Sequence, residues 1–184
     1  DVLGSRGLGD VYKRQAVTRE EFKDLILNNS TTLLSIVNNI LELSELVSSY
    51  EPLPVEPTDI YGLCIEEMEI LKEKILNSDI LCITEADKKE IIIPTNAFYL
   101  SRVIGNLLSN AAKFTEKGTI TLTCQIDEDQ EVVVISVTDT GIGIPTDKQE
   151  WVFERFTKVD DFKPGTGLGL YICRIIIQLS LIHI

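Results

Sequence analysis

Tyr99, Arg102, Asn106, Asn110 and Lys113 fall at spacings of three, four, four and three. On a helix that spacing makes one polar stripe, with Val103, Ile104, Leu107 and Leu108 on the buried side. Carboxamide oxygens are neutral ligands suited to Mg²⁺, which keeps several waters and binds through substrate phosphates. A lysine one turn further on meets a phosphate as a point charge. A solvated polar face is the plainer reading of the same stripe. A second cluster is Val137-Thr138-Asp139-Thr140-Gly141-Ile142-Gly143-Ile144-Pro145. Here a carboxylate leaves the end of an apolar run and passes straight into two glycines. Asp139 can accept a hydrogen bond from an exocyclic amine such as that of adenine, and Gly141 and Gly143 let the backbone pass close to a flat ring. A tight turn with an exposed Asp would look the same. The third cluster is Gly165-Thr166-Gly167-Leu168-Gly169-Leu170, opening a helix. Exposed backbone N–H groups and a helix N-terminus favour anions. No Gly-Lys-Ser/Thr follows, so it is not a Walker loop. It closes the chain rather than opening a βαβ unit, so it is not a dinucleotide fingerprint.

Helices and strands must carry these clusters. Phe22, Ile26, Asn29, Leu33, Ile36, Ile40, Leu43 and Val47 repeat every seven residues, the seam of a helix packed lengthwise on another. Leu25, Leu34, Val37 and Leu41 widen it to the stripe of a helical bundle. A surface helix on a globular body is the other reading. Pro52, Pro54 and Pro57 end the helix and mark a domain boundary. Asp59 reads as the N-cap of a helix over 60–76, with Leu63, Glu67, Ile70 and Lys74 on successive turns and Asn77-Ser78 closing it. Short strands are expected at 80–84 and 90–93, and a helix at 97–114 capped by Thr95 or Asn96. Alternation gives a half-buried strand over 120–126, a turn over 127–130 and a buried strand over 132–137. A short helix near 147–155 and a helix over 168–178 complete the pattern.

Composition narrows the class. The 184 residues are 44% hydrophobic and 25% charged, as in ordinary globular chains. Lys and Arg number 17 against 29 Asp and Glu, a net charge of −12. That balance argues against broad nucleic-acid binding, so no nucleic-acid partner is expected. No apolar run approaches the roughly 20 residues of a membrane span. Four dispersed cysteines without a CxxC pair argue against zinc or redox motifs and suit a reducing, cytoplasmic setting.

The two ends carry a signature of their own. Leu179 to Ile184 can be encoded by CTG TCT CTT ATA CAC ATC. Its reverse complement, GAT GTG TAT AAG AGA CAG, encodes Asp10 to Gln15. The string matches a transposase adapter used in sequencing libraries. Residues 1–15 and 179–184 are therefore read as adapter-derived artefact. The organisation expected is 16–50 a bundle helix and 51–178 a domain truncated at its C-terminus. His183 is the only histidine, and it lies in the adapter-derived end.

The three clusters, in this order, resemble the boxes of bacterial sensor histidine kinases of two-component systems. Asn106-Leu-Leu-Ser-Asn110-Ala-Ala-Lys113-Phe-Thr resembles the asparagine box, and Asp139-Thr-Gly-Ile-Gly-Ile-Pro145 the first glycine box. Val152-Phe153-Glu-Arg155-Phe156 is similar to the phenylalanine box and Gly165 to Leu170 to the second glycine box. The helix 22–47, with Asn38-Asn39-Ile40-Leu41-Glu42-Leu43-Ser44, resembles the second helix of the dimerisation and phosphoacceptor domain.

The resemblance implies an α+β fold: a two-layer α/β sandwich of the Bergerat type, a mixed sheet with helices on one face, preceded by a long helix. It implies an ATP–Mg²⁺ site, with Asn110 on the metal and Asn106 beside it. Lys113 would touch phosphates. Asp139 would take the adenine amine, in a pocket shaped by Gly141, Gly143 and Ile144. Gly165, Thr166, Gly167, Leu168, Gly169 and Leu170 would hold phosphates beneath a lid, 157–166, anchored by Phe153 and Phe156. Asn106 stands near the place of the general-base glutamate of hydrolysing relatives, which fits transfer rather than hydrolysis.

The activity implied is protein-histidine kinase, passing the γ-phosphoryl group to a histidine outside this stretch and then to an aspartate of a response-regulator receiver domain. The parent would be a homodimer through its helical bundle, cytoplasmic or anchored in the inner membrane, and this stretch alone inactive. A non-catalytic nucleotide-binding or dimerisation module, or an anti-sigma serine kinase of the same fold, is the alternative. The family usually has Asp, Arg and Gln where this chain has Asn96, Tyr99 and Arg102. Trp151 is expected to pack rather than react.

Overall fold

The computed structural model describes residues 4–48, 54–75, 79–129, 131–160 and 165–181. His183, Pro52, the Asn77-Ser78 helix end and lid positions 161–164 lie outside the described residues.

Helix α1 (Gly4–Ser48) runs for 45 residues, through residues 4–15 as well as the heptad region. Most of its seam is turned away from the body of the molecule, with only Ile36 and Leu43 half-buried among the described residues. Phe22, Ile26, Leu33 and Ile40 are exposed, as are Leu25, Leu34, Val37 and Leu41. The docked side is the neighbouring stripe, on which Asn39 and Leu46 are buried. No helix among the described residues is long and apolar enough to cross a membrane.

The body is a mixed α/β layer structure. Strand β1 (Glu56–Asp59) pairs antiparallel with β3 (Ile92–Thr95). The prolines there were expected to leave only a boundary. Instead Pro57 faces Pro94 in the register, so both missing N–H groups fall on one rung of a two-stranded edge. Strand β2 (Ile80–Ala86) runs parallel to β4 (Gly118–Asp127), which runs antiparallel to β5 (Val132–Asp139). The parallel pair needs a crossover, and α3 (Ala97–Phe114) lies in it.

Helix α2 (Ile60–Lys74) starts at Asp59, whose backbone is extended but whose side chain makes no capping bond. The tie is instead the backbone bond from Ile60 N to Ile91 O, 2.8 Å. Its buried stripe is Ile60, Cys64, Met68 and Leu71, with Leu63 packed beside it. Asn96 is the α3 cap. Its Oδ1 accepts from Tyr99 N at 3.0 Å, and its Nδ2 donates to Pro54 O at 2.8 Å.

One core lies between helices α2 and α3 and the sheet: Ile60, Cys64, Met68, Ile104, Leu108, Ile120, Leu122 and Cys124 among others. Alternation on β4 puts Ile120, Leu122 and Cys124 on that side. A second cluster joins Leu46 of α1, Val103 of α3, and Leu168, Ile172, Cys173 and Ile176 in and before α4 (Gly169–Leu181). The expected helix at 147–155 is two 3-10 turns, Thr146–Lys148 and Trp151–Phe153. Pro145 sits before the first, and only Gln149 and Glu150 separate the two turns.

Candidate nucleotide site

Three segments far apart in sequence meet along α3. The polar stripe of this helix supplies Asn106, Asn110 and Lys113, all half-buried. The glycine-rich segment before α4 lies against the stripe. A Cβ on Gly165 would stand 2.8 Å from Lys113 Nζ, and one on Gly169 3.5 Å from Asn106 Oδ1. The loop after β5 closes on the C-terminal end of the same helix, where Ile142 N donates to Phe114 O at 3.3 Å.

Gly141 has a different reason from the one expected. A Cβ there would come within 2.4 Å of Phe114 O. It is a glycine because its backbone lies on the end of α3. Gly143 is the position left open: its φ is +69° and a Cβ would meet nothing within 4 Å. Ile144 is 45% exposed beside it. Asp139 Oδ1 accepts from Gly141 N at 2.8 Å, which fixes the carboxylate on its loop. That leaves Oδ2 as the oxygen for an amine donor.

Gly167 has φ +70°, and a Cβ would stand 2.7 Å from the carbonyl carbon of Phe156. So the phosphate-type loop rests on the backbone of the phenylalanine segment. Phe156 itself has φ +61°. Its side chain is 61% exposed and that of Phe153 37%, while Val152 is buried. The two phenylalanines are therefore not buried anchors. Backbone contact with Gly167 does the holding, and Val152 supplies the packing. Trp151 is partly exposed, with Lys148 Nζ 5.8 Å from its ring centre.

Thr166 Oγ1 accepts from Leu168 N at 3.2 Å, at the entry to α4. Leu168 is buried and Leu170 half-buried behind the loop. Asn106 Nδ2 is buried and has no hydrogen-bond partner among the described residues. A buried donor left so costs about 1–3 kcal/mol, and a site for a polar ligand is one place where that occurs. Its neighbour Cys173 is buried too, and burial pushes that thiol up to about 11. Two cavities lie away from this stripe. One, of about 140 Å³, lies between α2 and α3 around Glu67 and Ser109. The other, of about 490 Å³, lies between β3 and the β4–β5 hairpin.

Residues 95–183 match the family described as histidine kinase-, DNA gyrase B-, and HSP90-like ATPase. The catalytic domain of histidine kinase ThkA, solved nucleotide-free, superposes with a TM-score of 0.61 and 30% identity, over 68% of this chain and 81% of that one. The chain belongs to this ATPase family. It is the catalytic ATP-binding domain type found in sensor histidine kinases, with an N-terminal helix attached.

Full-length ShkA, solved in complex with AMPPNP, superposes with a TM-score of 0.72 and 31% identity over 80% of this chain. Circadian input-output histidine kinase CikA of Synechococcus elongatus is 31% identical over 96% of this chain. Sensor histidine kinase WalK of Bacillus subtilis is 30% identical over 82% of it. The chain spans 24% of the length of CikA and 25% of WalK.

Arg102 was legible as a member of the α3 polar stripe and as a departure from the family pattern. In the structure its guanidinium bonds Glu42 of α1 through Nε at 3.1 Å and Nη2 at 2.8 Å. Nothing in the spacing of either residue signals the other.

Proposed function

We propose that the chain binds ATP with Mg²⁺ along α3, and that the protein it belongs to is a histidine kinase. The observation that supports this best is the convergence on one helix face. Lys113 and Asn106 meet the second glycine segment, and the Asp139 loop closes on the end of the same helix.

Asn110, with Asn106 beside it, would hold the metal. Mg²⁺ supplies charge neutralisation between phosphate oxygens. Lys113 would bring a positive charge to the phosphates, and the backbone of Gly165, Gly167 and Gly169 would offer N–H donors. Asp139 Oδ2 would take the adenine amine. Asn106 carries no basic group and leaves water unactivated, which favours transfer over hydrolysis.

In that transfer a histidine ring nitrogen attacks the γ-phosphorus. An N–P bond forms, the bond to the bridging β–γ oxygen breaks, and ADP leaves. The phosphoryl group then passes to an aspartate of a response-regulator receiver domain. The acceptor histidine stands outside residues 16–178, which contain none. The exposed apolar seam of α1 fits a second copy of the same helix, giving a homodimer through a bundle.

Calorimetry with AMPPNP tests the site. Asp139→Ala should cost about 1.5–3 kcal/mol of binding, as for a lost hydrogen bond to a charged group. Asn110→Ala should weaken binding with Mg²⁺ more than with EDTA. Equal weakening would remove the metal role, and unchanged affinity on Asp139→Ala would remove the adenine contact.

A further inference from the structure

We propose that Arg102 is a positioning residue: it clasps α1 so that Asn39 holds the phosphate-type loop at Thr166. The proposal rests on the nucleotide reading above and adds a long-range partner to it.

The clasp is a chain of four side chains from three segments. Arg102 of α3 takes Glu42 of α1 in a forked pair, Nε and Nη2 both on the carboxylate. Glu42 is 15% exposed there and Arg102 41%. Arg102 Nη2 also donates to Asn39 Oδ1 at 3.3 Å. Guanidinium has donors only, so the Asn39 atom facing it must be the oxygen. The Asn39 nitrogen is thereby turned the other way, and Nδ2 donates to Thr166 Oγ1 at 3.3 Å. Thr166 Oγ1 also accepts from Leu168 N. Both lone pairs of the hydroxyl are then engaged, and its one proton is left to give to an acceptor.

Asn39 is 8% exposed and 127 residues from Thr166 in sequence. Such a bond orders the loop only while α1 stays docked. Docking is secured by the ion pair and by Leu46 packing on Ile172 and Cys173. A glutamine at position 102 could bond Asn39 or Glu42 once but lacks the charged fork. By linkage, whatever favours α1 docking favours nucleotide binding, and bound nucleotide favours docking.

The test uses the full chain. Amide exchange at 166–169 is followed without nucleotide, with the β4 amides as control, and AMPPNP–Mg²⁺ affinity is measured by calorimetry. Asn39→Ala, which keeps the ion pair, and Arg102→Gln should each speed exchange at 166–169 while β4 stays protected. Both should lower affinity about five-fold or more, and Arg102→Lys should fall between Arg102→Gln and the parent chain. Unchanged loop exchange, exchange that rises equally in β4, or equal or tighter binding would overturn the clasp. A parent chain that binds no AMPPNP overturns the nucleotide reading instead, and exchange at 166–169 then decides the clasp by itself.

Discussion

Gly167 is the most constrained position of the site. Its φ of +70° suits glycine, and a Cβ would stand 2.7 Å from backbone atoms that cannot rotate away. Gly167→Ala therefore carries a left-handed penalty of about 1–2 kcal/mol and a steric one besides. We expect AMPPNP affinity to fall at least ten-fold while the far-ultraviolet dichroism is unchanged. Native dichroism with native affinity would show that the loop relaxes freely.

The cysteines give a residue-scale prediction of another kind. Burial first, with the nearby Cys124 adding to it, pushes the Cys64 thiol from 9.0 up to about 12. The folded state thus holds the thiol proton more tightly than the unfolded chain does. Stability from this source is complete below the unfolded value near 9.0 and is lost as pH climbs toward about 12. Urea midpoints should be level between pH 7 and 8 and fall above pH 9. Thiol labelling at pH 8 should find Cys82 first, because it alone of the four is not buried. Cys64 labelling ahead of it would contradict the packing.

At the scale of elements, α3 is where the sequence spoke most clearly. A polar stripe and an apolar stripe at helical spacing set its face, and an Asn before the first turn set its start. Asn96→Ala should cost about 1 kcal/mol, read as a shift in thermal midpoint. A loss twice as large would indicate that the second bond, to Pro54 O, matters equally.

Other elements were less legible for physical reasons. Strand β1 hides behind prolines, which cannot donate to a ladder and so read as breakers, yet Pro57 and Pro94 stand opposite each other in a two-stranded edge. The α1 heptads were plain, yet the side that docks is set by Asn39, Glu42 and Leu46, whose partners lie more than 50 residues away. The phenylalanine segment was legible from its residue types, but the backbone contact it makes was not. Here the backbone beneath the side chains is what Gly167 needs.

At the scale of the whole molecule, the expected result is a missing activity. The chain should not phosphorylate itself on histidine, because the acceptor imidazole must attack in line with the γ-phosphorus and residues 16–178 hold none. Incubation with γ-labelled ATP should give no acid-labile, base-stable label. Label that vanishes in His183→Ala would overturn both this and the adapter reading.

The order in which the site's segments lie along the chain has a further consequence, for synthesis on the ribosome. Domains fold as they emerge, N-terminal parts first, at about 5–20 residues per second. Helix α1 and its bare apolar seam come out before any of the body that Leu46 will pack against. The α3 stripe and the Asp139 loop follow, while the glycine loop that completes the site arrives last. For seconds, then, the nascent chain presents α3 and the Asp139 loop without the glycine segment that packs against them, alongside a helix whose apolar seam is uncovered. In the homodimer proposed above, chains made side by side on one messenger would meet through α1 before either had a complete site.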